Sequence, residues 1–246
     1  MDIVMTKMTH LRNRRDETSL KLDLHVHTTF SGIPNYPFLR DSTITLEDVI
    51  ELSQEKNIDG VAITDHNTIA GAVRLKEYVK RRNLNLSVIV GEEVRTLSGD
   101  VVAIDIDSRI KHGTSVEETL DRIRECNGLA VACHPSAGNG VGEMMVKTHK
   151  FDIVETLNSC ASRTANIKAK ELARSLGLPE IGGSDAHRPE IFGNAVTEVA
   201  EDLAIRESLE KGLTKVQGEE SPRIHRITRV LYRIRKPQYL FRNPFS

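Results

Sequence analysis

Long apolar runs are missing from this 246-residue chain. Nowhere does it approach the roughly 20 consecutive apolar residues that a membrane-crossing helix requires. The opening stretch from Met1 to Glu17 also lacks the apolar core of a secretory signal. Both absences lead to the expectation of a cytoplasmic protein with no stable membrane insertion. Cysteine is scarce: Cys126, Cys133 and Cys160 are the only three, far apart and odd in number. They exclude a disulfide framework and a CxxC metal knuckle. Cys133, behind Leu-Ala-Val-Ala, reads as a small core hydrophobe. Internal repeats and low-complexity tracts are absent. Net charge is nearly absent as well, at −1. That balance hides an asymmetry, because the stretch from Ser221 to the end carries Lys and Arg but no Asp or Glu. The remainder is correspondingly acidic, which suits a cation site, while a basic tail suits an anionic partner.

What is present is ordinary globular material, 39% hydrophobic and 28% charged, of a length that fits one α/β barrel. Short apolar runs alternate with helical patterns. The runs are Leu20–Val26, Gly60–Thr64, Leu86–Val90, Val101–Ile106, Leu129–Cys133, Asp152–Leu157, Glu180–Gly182 and Ala195–Val199. Thr45 with Asp48 three residues on, and Ser115 with Glu118, are capping boxes that open helices. A further helix over 162–176 ends at Gly177, and Pro179 prevents its continuation. Strand and helix in alternation imply a parallel sheet covered on both faces, and seven or eight such units favour closure into a barrel. The organisation expected is a polar arm over 1–18, a barrel domain over 19–212 and a basic appendage over 213–246.

Nine histidines are present, and their placement is informative. Asp23-Leu-His25-Val-His27 ends the first run, and residues two apart on a strand share a face, so His25 and His27 converge. Thr64-Asp65-His66 ends the second, Gly91-Glu92-Glu93 the third, Cys133-His134 a fifth, and Gly183-Ser184-Asp185-Ala186-His187 a seventh. In a parallel barrel all carboxyl ends of strands open onto one rim. Five strands therefore deliver His, Asp and Glu to one place, which is a metal site. Mixed imidazole and carboxylate donors suit Zn, Mn or Fe, and six or more ligands exceed one cation's needs, so two or three divalent metal ions are expected. His10, His112, His149 and His225 follow no strand run and are assigned to the surface or loops. Glu92 alternates away from Glu93 and is expected to cap or to face solvent.

These motifs resemble the PHP (polymerase and histidinol phosphatase) family between Lys21 and Val199. The resemblance rests on His25-x-His27-Thr28, Thr64-Asp65-His66-Asn67-Thr68, Gly91-x-Glu93, His134-Pro135, Glu155-x-x-Asn158 and Gly183-Ser184-Asp185-x-His187. It implies a distorted (β/α)7 TIM-like barrel and a trinuclear metal centre. The first cation would take His25, His27, Glu93 and Asp185. Glu93 would bridge to a second cation that also takes His134, and His66 and His187 would serve a third. Asp65 would orient its neighbours. Two departures stand out. Family members read His-x-His-Thr-x-x-Ser-Asp-Gly, but here Thr28-Thr29-Phe30-Ser31-Gly32 lacks the carboxylate, so a weak or empty third site is expected. Members also carry a His where Asp100 stands, which makes Asp100 a candidate oxygen donor to the second cation or else a turn residue.

The activity implied is hydrolysis of phosphate esters by a metal-bound hydroxide, acting on a small phosphomonoester such as a nucleotide. Arg163 and Arg188 are candidates for gripping phosphate, with Asn158 and His187 beside them. The alternatives are a 5'-3' exonuclease on RNA or DNA ends and a non-catalytic, metal-stabilised binding module. The tail residues Arg223, Arg226, Arg229, Arg233, Arg235 and Lys236, interleaved with Tyr232, Tyr239 and Phe241, could follow a nucleic-acid backbone. The apolar stripe Ile224, Ile227, Leu231 and Ile234 could instead pair two copies into a homo-oligomer.

Overall fold

The computed structural model describes residues 19–33 and 36–222, so the arm over 1–18 and the tail beyond residue 222 lie outside the described residues. In chain order the elements are β1 (Ser19–Val26), β2 (Gly32–Ile33), β3 (Tyr36–Arg40), α1 (Leu46–Lys56), β4 (Gly60–Ile63), α2 (Ala70–Arg82), β5 (Ser87–Thr96) and β6 (Gly99–Ile104). There follow α3 (Val116–Glu125), β7 (Leu129–Ala132), α4 (Glu143–Thr148), β8 (Ile153–Asn158), α5 (Arg163–Leu176), β9 (Glu180–Gly183), β10 (Ala195–Ala200), α6 (Ile205–Glu210) and β11 (Thr214–Gly218).

Every apolar run read as a strand is one, and the expected caps operate. Thr45 and Asp48 close a reciprocal capping box on α1, Ser115 accepts from the Glu118 N–H, and Ser162 accepts from the Ala165 N–H. Gly177 ends α5 in the left-handed conformation, which a residue without Cβ adopts at no steric cost.

The main sheet runs in the order β11-β10-β1-β4-β5-β6-β7-β8-β9. It curls until the chain just past β9 returns to the far half of β1, where the Asp185 N–H donates to the His25 carbonyl (2.8 Å) and the His27 N–H to the Ala186 carbonyl (3.0 Å). The near half of β1 pairs with β10 over Ser19–Leu22. Seven strands, β1, β4, β5, β6, β7, β8 and β9, thus form a distorted barrel, while β10 and β11 continue from one edge.

The sheet is mixed rather than wholly parallel. Leu97 and Ser98 join β5 to β6 in a tight hairpin, which reverses β6 and makes its pairings with β5 and β7 antiparallel. A two-residue connection permits only that sense. The sheet also continues beyond the expected domain edge at residue 212, because Thr214–Gly218 pairs with β10.

Two apolar clusters show which way each strand faces. The inner one holds Leu22, Leu24, Ala62, Val102, Ile104, Val131, Cys133, Ile153 and Ile181; the outer one, under the helices, holds Val26, Val61, Ile63, Ala103, Ala130, Ala132 and Val154. On β1 the alternation breaks: Leu24 is inner but Val26 is outer. The β1–β4 register shifts between Asp23 and Val26. A bulge of this kind re-aims the side chains that follow it, and here it turns His25 and His27 inward.

Candidate metal centre

The inner face of the barrel ends in a layer of charged side chains, every one of them largely shielded from solvent. His25 and His27 come from the end of β1 and His66 from the turn after β4. Glu93 lies within β5 and Asp100 near the start of the reversed β6, which begins at the same rim. His134 follows β7, Glu155 and Asn158 lie on β8, and Asp185 and His187 follow β9. His134 and Asp185 occupy positive φ, at 32° and 52°. Such backbone is costly for residues with a Cβ and persists where the surroundings over-determine it.

The donors converge as three groups that share Glu93 and Asp185. In the first, His25 Nε2 is 3.2 Å from His27 Nε2 and 3.6 Å from Glu93 Oε2, and His27 Nε2 is 3.1 Å from Glu93 Oε2 and 3.4 Å from Asp185 Oδ1. A cation with bonds of about 2.1 Å holds its donors about 3.0–3.4 Å apart, so the spacing fits one shared ion. In the second, His134 Nε2 lies 3.1 Å from the other oxygen of Glu93, Oε1. One carboxylate thus faces two groups, as a bridging ligand must. In the third, Asp41 Oδ2 is 3.2 Å from His66 Nε2 and 2.8 Å from His187 Nε2.

Asp41 corrects the expectation of a third site without a carboxylate. Chain from Gly32 to Arg40, including the β2–β3 pair, intervenes where the family pattern places Asp directly after Ser. Beyond it Asp41 returns, with its N–H donating to the Ser31 carbonyl at 2.9 Å. Its only sequence signal was an acidic residue just ahead of a capped helix, and no fixed spacing from His27 marked it.

Several buried atoms complete the case for cations. His66 Nδ1 and His134 Nδ1 are buried without a hydrogen-bond partner, and Asp100 Oδ1 meets the Arg95 guanidinium 2.8 Å from Nε without hydrogen-bond alignment. His66 Nδ1 nevertheless lies 3.1 Å from Glu93 Oε2, a close approach without hydrogen-bond alignment. Lone pairs crowded in this way are costly unless a positive charge is shared among them.

Supporting residues aim the donors. Glu155 Oε1 sits 3.0 Å from His25 Nδ1, and Glu155 Oε2 accepts from the His134 N–H (2.9 Å) and from Asn158 Nδ2 (3.0 Å). His27 Nδ1 lies 3.2 Å from Ser31 Oγ. With Nδ1 engaged, both imidazoles turn Nε2 to the centre, the usual arrangement of a carboxylate or hydroxyl behind a metal-ligating histidine. Asp65 accepts from the Thr28 N–H (2.6 Å) and hydroxyl (2.8 Å). Asp23 ties β1 to the loop after β9 by accepting from the Ser184 and Gly193 N–H groups, each at 2.9 Å. Gly183 permits this closure, since a Cβ there would meet His25 Cβ at 2.5 Å and Glu155 Oε1 at 2.9 Å.

The electrostatics follow from burial and pairing. Burial opposes the charged form of every group, yet the imidazoles around Glu93 and Asp185 outweigh it and hold both carboxyls below their ordinary range. Conversely, burial is outweighed at His27 by Asp185 and Glu93, which raise it to about 9, and His25 and His134 are raised too. Asp100 is pushed up to about 7 by burial and by the Glu93 charge.

The remaining expected residues are placed unevenly. Asn158 spans Glu155 and Asp185, its Nδ2 lying 3.4 Å from Asp185 Oδ2, so it sits behind the donors. Arg188 is buried beside His187, whereas Arg163 is an exposed first residue of α5. Glu92 is fully buried rather than solvent-facing, and it caps no helix: its Oε2 accepts from the Ile110 N–H, in the loop before α3, at 2.8 Å. His112 is exposed and His149 half-buried, while His10 and His225 lie outside the described residues.

The family model described as "PHP domain" matches residues 23–114, and one described as "PHP-associated" matches 163–215. An uncharacterized protein of Methanocaldococcus jannaschii is 30% identical over 217 residues, 82% of this chain and 81% of its own. The chain belongs to the PHP family. Within this family, the 5'-3' exoribonuclease Rnm of Escherichia coli is 33% identical over 89 residues, which are 35% of this chain and 27% of that enzyme. The PHP barrel is also seen in a two-domain Bacteroides vulgatus protein described as containing a predicted PHP-like metal-dependent phosphoesterase. Its TM-score is 0.66 at 17% identity, covering 87% of this chain and 69% of that one. At that identity the likeness speaks to fold.

Proposed function

We propose that this PHP protein is a metal-dependent phosphoesterase acting on a small phosphorylated substrate. The observation that carries the reading is Glu93, a fully shielded carboxylate whose two oxygens face two donor groups, His25 with His27 on one side and His134 on the other. Bridged divalent cations supply two things to such a site: charge neutralisation on the phosphoryl oxygens and a water nucleophile at neutral pH. His25, His27, Glu93 and Asp185 would hold the first, Glu93 and His134 with Asp100 beside them the second, and Asp41, His66 and His187 the third. The mixture of imidazole and carboxylate suits Mn, Zn or Fe. Within this frame Glu155 and Asn158 hold the donors in line, and burial keeps bulk water from competing with substrate. His187, with Nδ1 2.9 Å from the Asp185 carbonyl oxygen and Nε2 2.8 Å from Asp41, would be a donor to the third cation.

Manganese-loaded protein is expected to release phosphate from an aryl phosphate, with His134→Ala and Asp185→Ala each reducing turnover about a hundredfold or more. Turnover equal to wild type in both variants would refute the reading. The likeness to Rnm favours a second substrate class, the ends of RNA. It is tested by offering 5'-phosphorylated oligoribonucleotides to the full chain and to a chain ending at residue 222, a cut that spares Ser221, whose N–H donates to Ser159 at 2.7 Å.

A further inference from the structure

The hairpin that reverses β6 also places a cation that the metal site does not use. Register pairs Gly91 with Ile104, Glu93 with Val102 and Arg95 with Asp100. Val102 and Ile104 belong to the inner cluster, so Glu93, Arg95 and Asp100 share the inner face of the barrel. Arg95 therefore stands one pleat outward from Glu93, about 7 Å along the strand. Its backbone is pinned on both sides: the Arg95 N–H donates to Asn67 Oδ1 at 2.9 Å, next to His66, and its carbonyl accepts from the Gly113 N–H at 2.7 Å.

The side chain bridges interior and rim. Arg95 Nε lies 2.8 Å from Asp100 Oδ1, with the arginine side chain 35% exposed and the aspartate at 0%. Asp100 is further fixed by its own N–H, which donates to the Asn139 carbonyl at 2.9 Å. Among the described residues, Asp100 is the one carboxylate that Arg95 meets, and it meets it through Nε. The two terminal nitrogens, with four N–H groups in a planar fork, meet no protein acceptor among the described residues. A guanidinium ion-paired through its Nε edge beside the donor cluster, with its fork unclaimed and partly exposed, suits two oxygens of a tetrahedral anion.

We infer that Arg95 grips oxygens of the substrate phosphate as it lies against the cations, with Asp100 as the anchor that aims it. The inference rests on the phosphoesterase reading and adds a residue that determines substrate affinity.

Neutralising Asp100 alone would be a purely structural task, and a double-mutant cycle separates the two. Wild type, Arg95→Gln, Asp100→Asn and the double variant are loaded with manganese, their metal content is measured, and inorganic phosphate is titrated into each by calorimetry. A gripping arginine predicts that Arg95→Gln weakens phosphate binding about tenfold to a hundredfold. It also predicts that the double variant stays weaker than Asp100→Asn by a similar factor, because removing the anchor's charge does not replace the fork. Equal phosphate affinity in Asp100→Asn and the double variant, or in wild type and Arg95→Gln, overturns the inference and leaves the phosphoesterase reading standing. Metal-loaded wild type that binds no phosphate overturns both.

Discussion

Asp41 gives the third donor group its only carboxylate outside the shared pair. Its Oδ2 meets both His66 and His187, at 3.2 and 2.8 Å. Asp41→Ala is therefore expected to lower the bound metal by about one ion per chain, with the Glu93-bridged pair retained; elemental analysis after dialysis reads it directly. Loss of all metal, or of none, would contradict the grouping. The residues flanking Asp41 explain why it escaped the motif: the β2–β3 pair separates it from Ser31 along the chain. By contrast His25, His27, His66, Glu93, His134, Asp185 and His187 were all legible, because each follows an apolar run in the phase of a strand. Glu155 was visible as part of a motif but without a role, since what it does is grip His25 and the His134 backbone from a strand 130 and 21 residues away.

At the level of elements, β5 carries opposite chemistries on its two faces. Glu93 looks inward to the donor cluster, whereas Glu92 looks outward and holds the loop before α3 through Ile110, with Arg109 Nε 3.6 Å away. Burial pushes Glu92 up to about 7 from 4.5. The folded state therefore binds more protons than the unfolded chain between those values, so stability is present below pH 4.5 and declines as pH rises to about 7, by about 3 kcal/mol. Glu92→Gln keeps an acceptor for Ile110 and removes the charge. It is expected to unfold at higher denaturant than wild type at pH 8 and to match it near pH 4.5. A variant with the same midpoint difference at both pH values would show that Glu92 does not titrate in this window. Alternation assigned Glu92 to the opposite face from Glu93 correctly. That this face is covered by a loop, not water, depended on where residues 105–113 pass, which strand periodicity does not encode.

For the whole molecule, the centre joins strands that close the barrel, so cations bound there would be linked to fold stability. In metal-free protein His27, raised to about 9 by Asp185 and Glu93 against burial, is charged and paired at neutral pH. That contribution is complete below pH 6.5 and lost as pH climbs through 9. Metal binding instead requires the neutral ring, so cations displace protons and bind more tightly as pH rises. The gap in melting temperature between manganese-loaded and chelator-stripped protein should accordingly widen from pH 6.5 to 9; a gap that narrows would sink this linkage. Among the described residues no helix is long and apolar enough to cross a membrane.

The sequence by itself determined the alternation of strands and helices, the helix caps and the donors that end strands, because these follow from local periodicity and side-chain chemistry. Tertiary structure alone decided that a bulge turns His25 and His27 inward, and that Asp41 and Arg95 reach the same rim. Those outcomes depend on which distant segments share hydrogen bonds and a buried face, and such contacts leave no spacing along the chain to read.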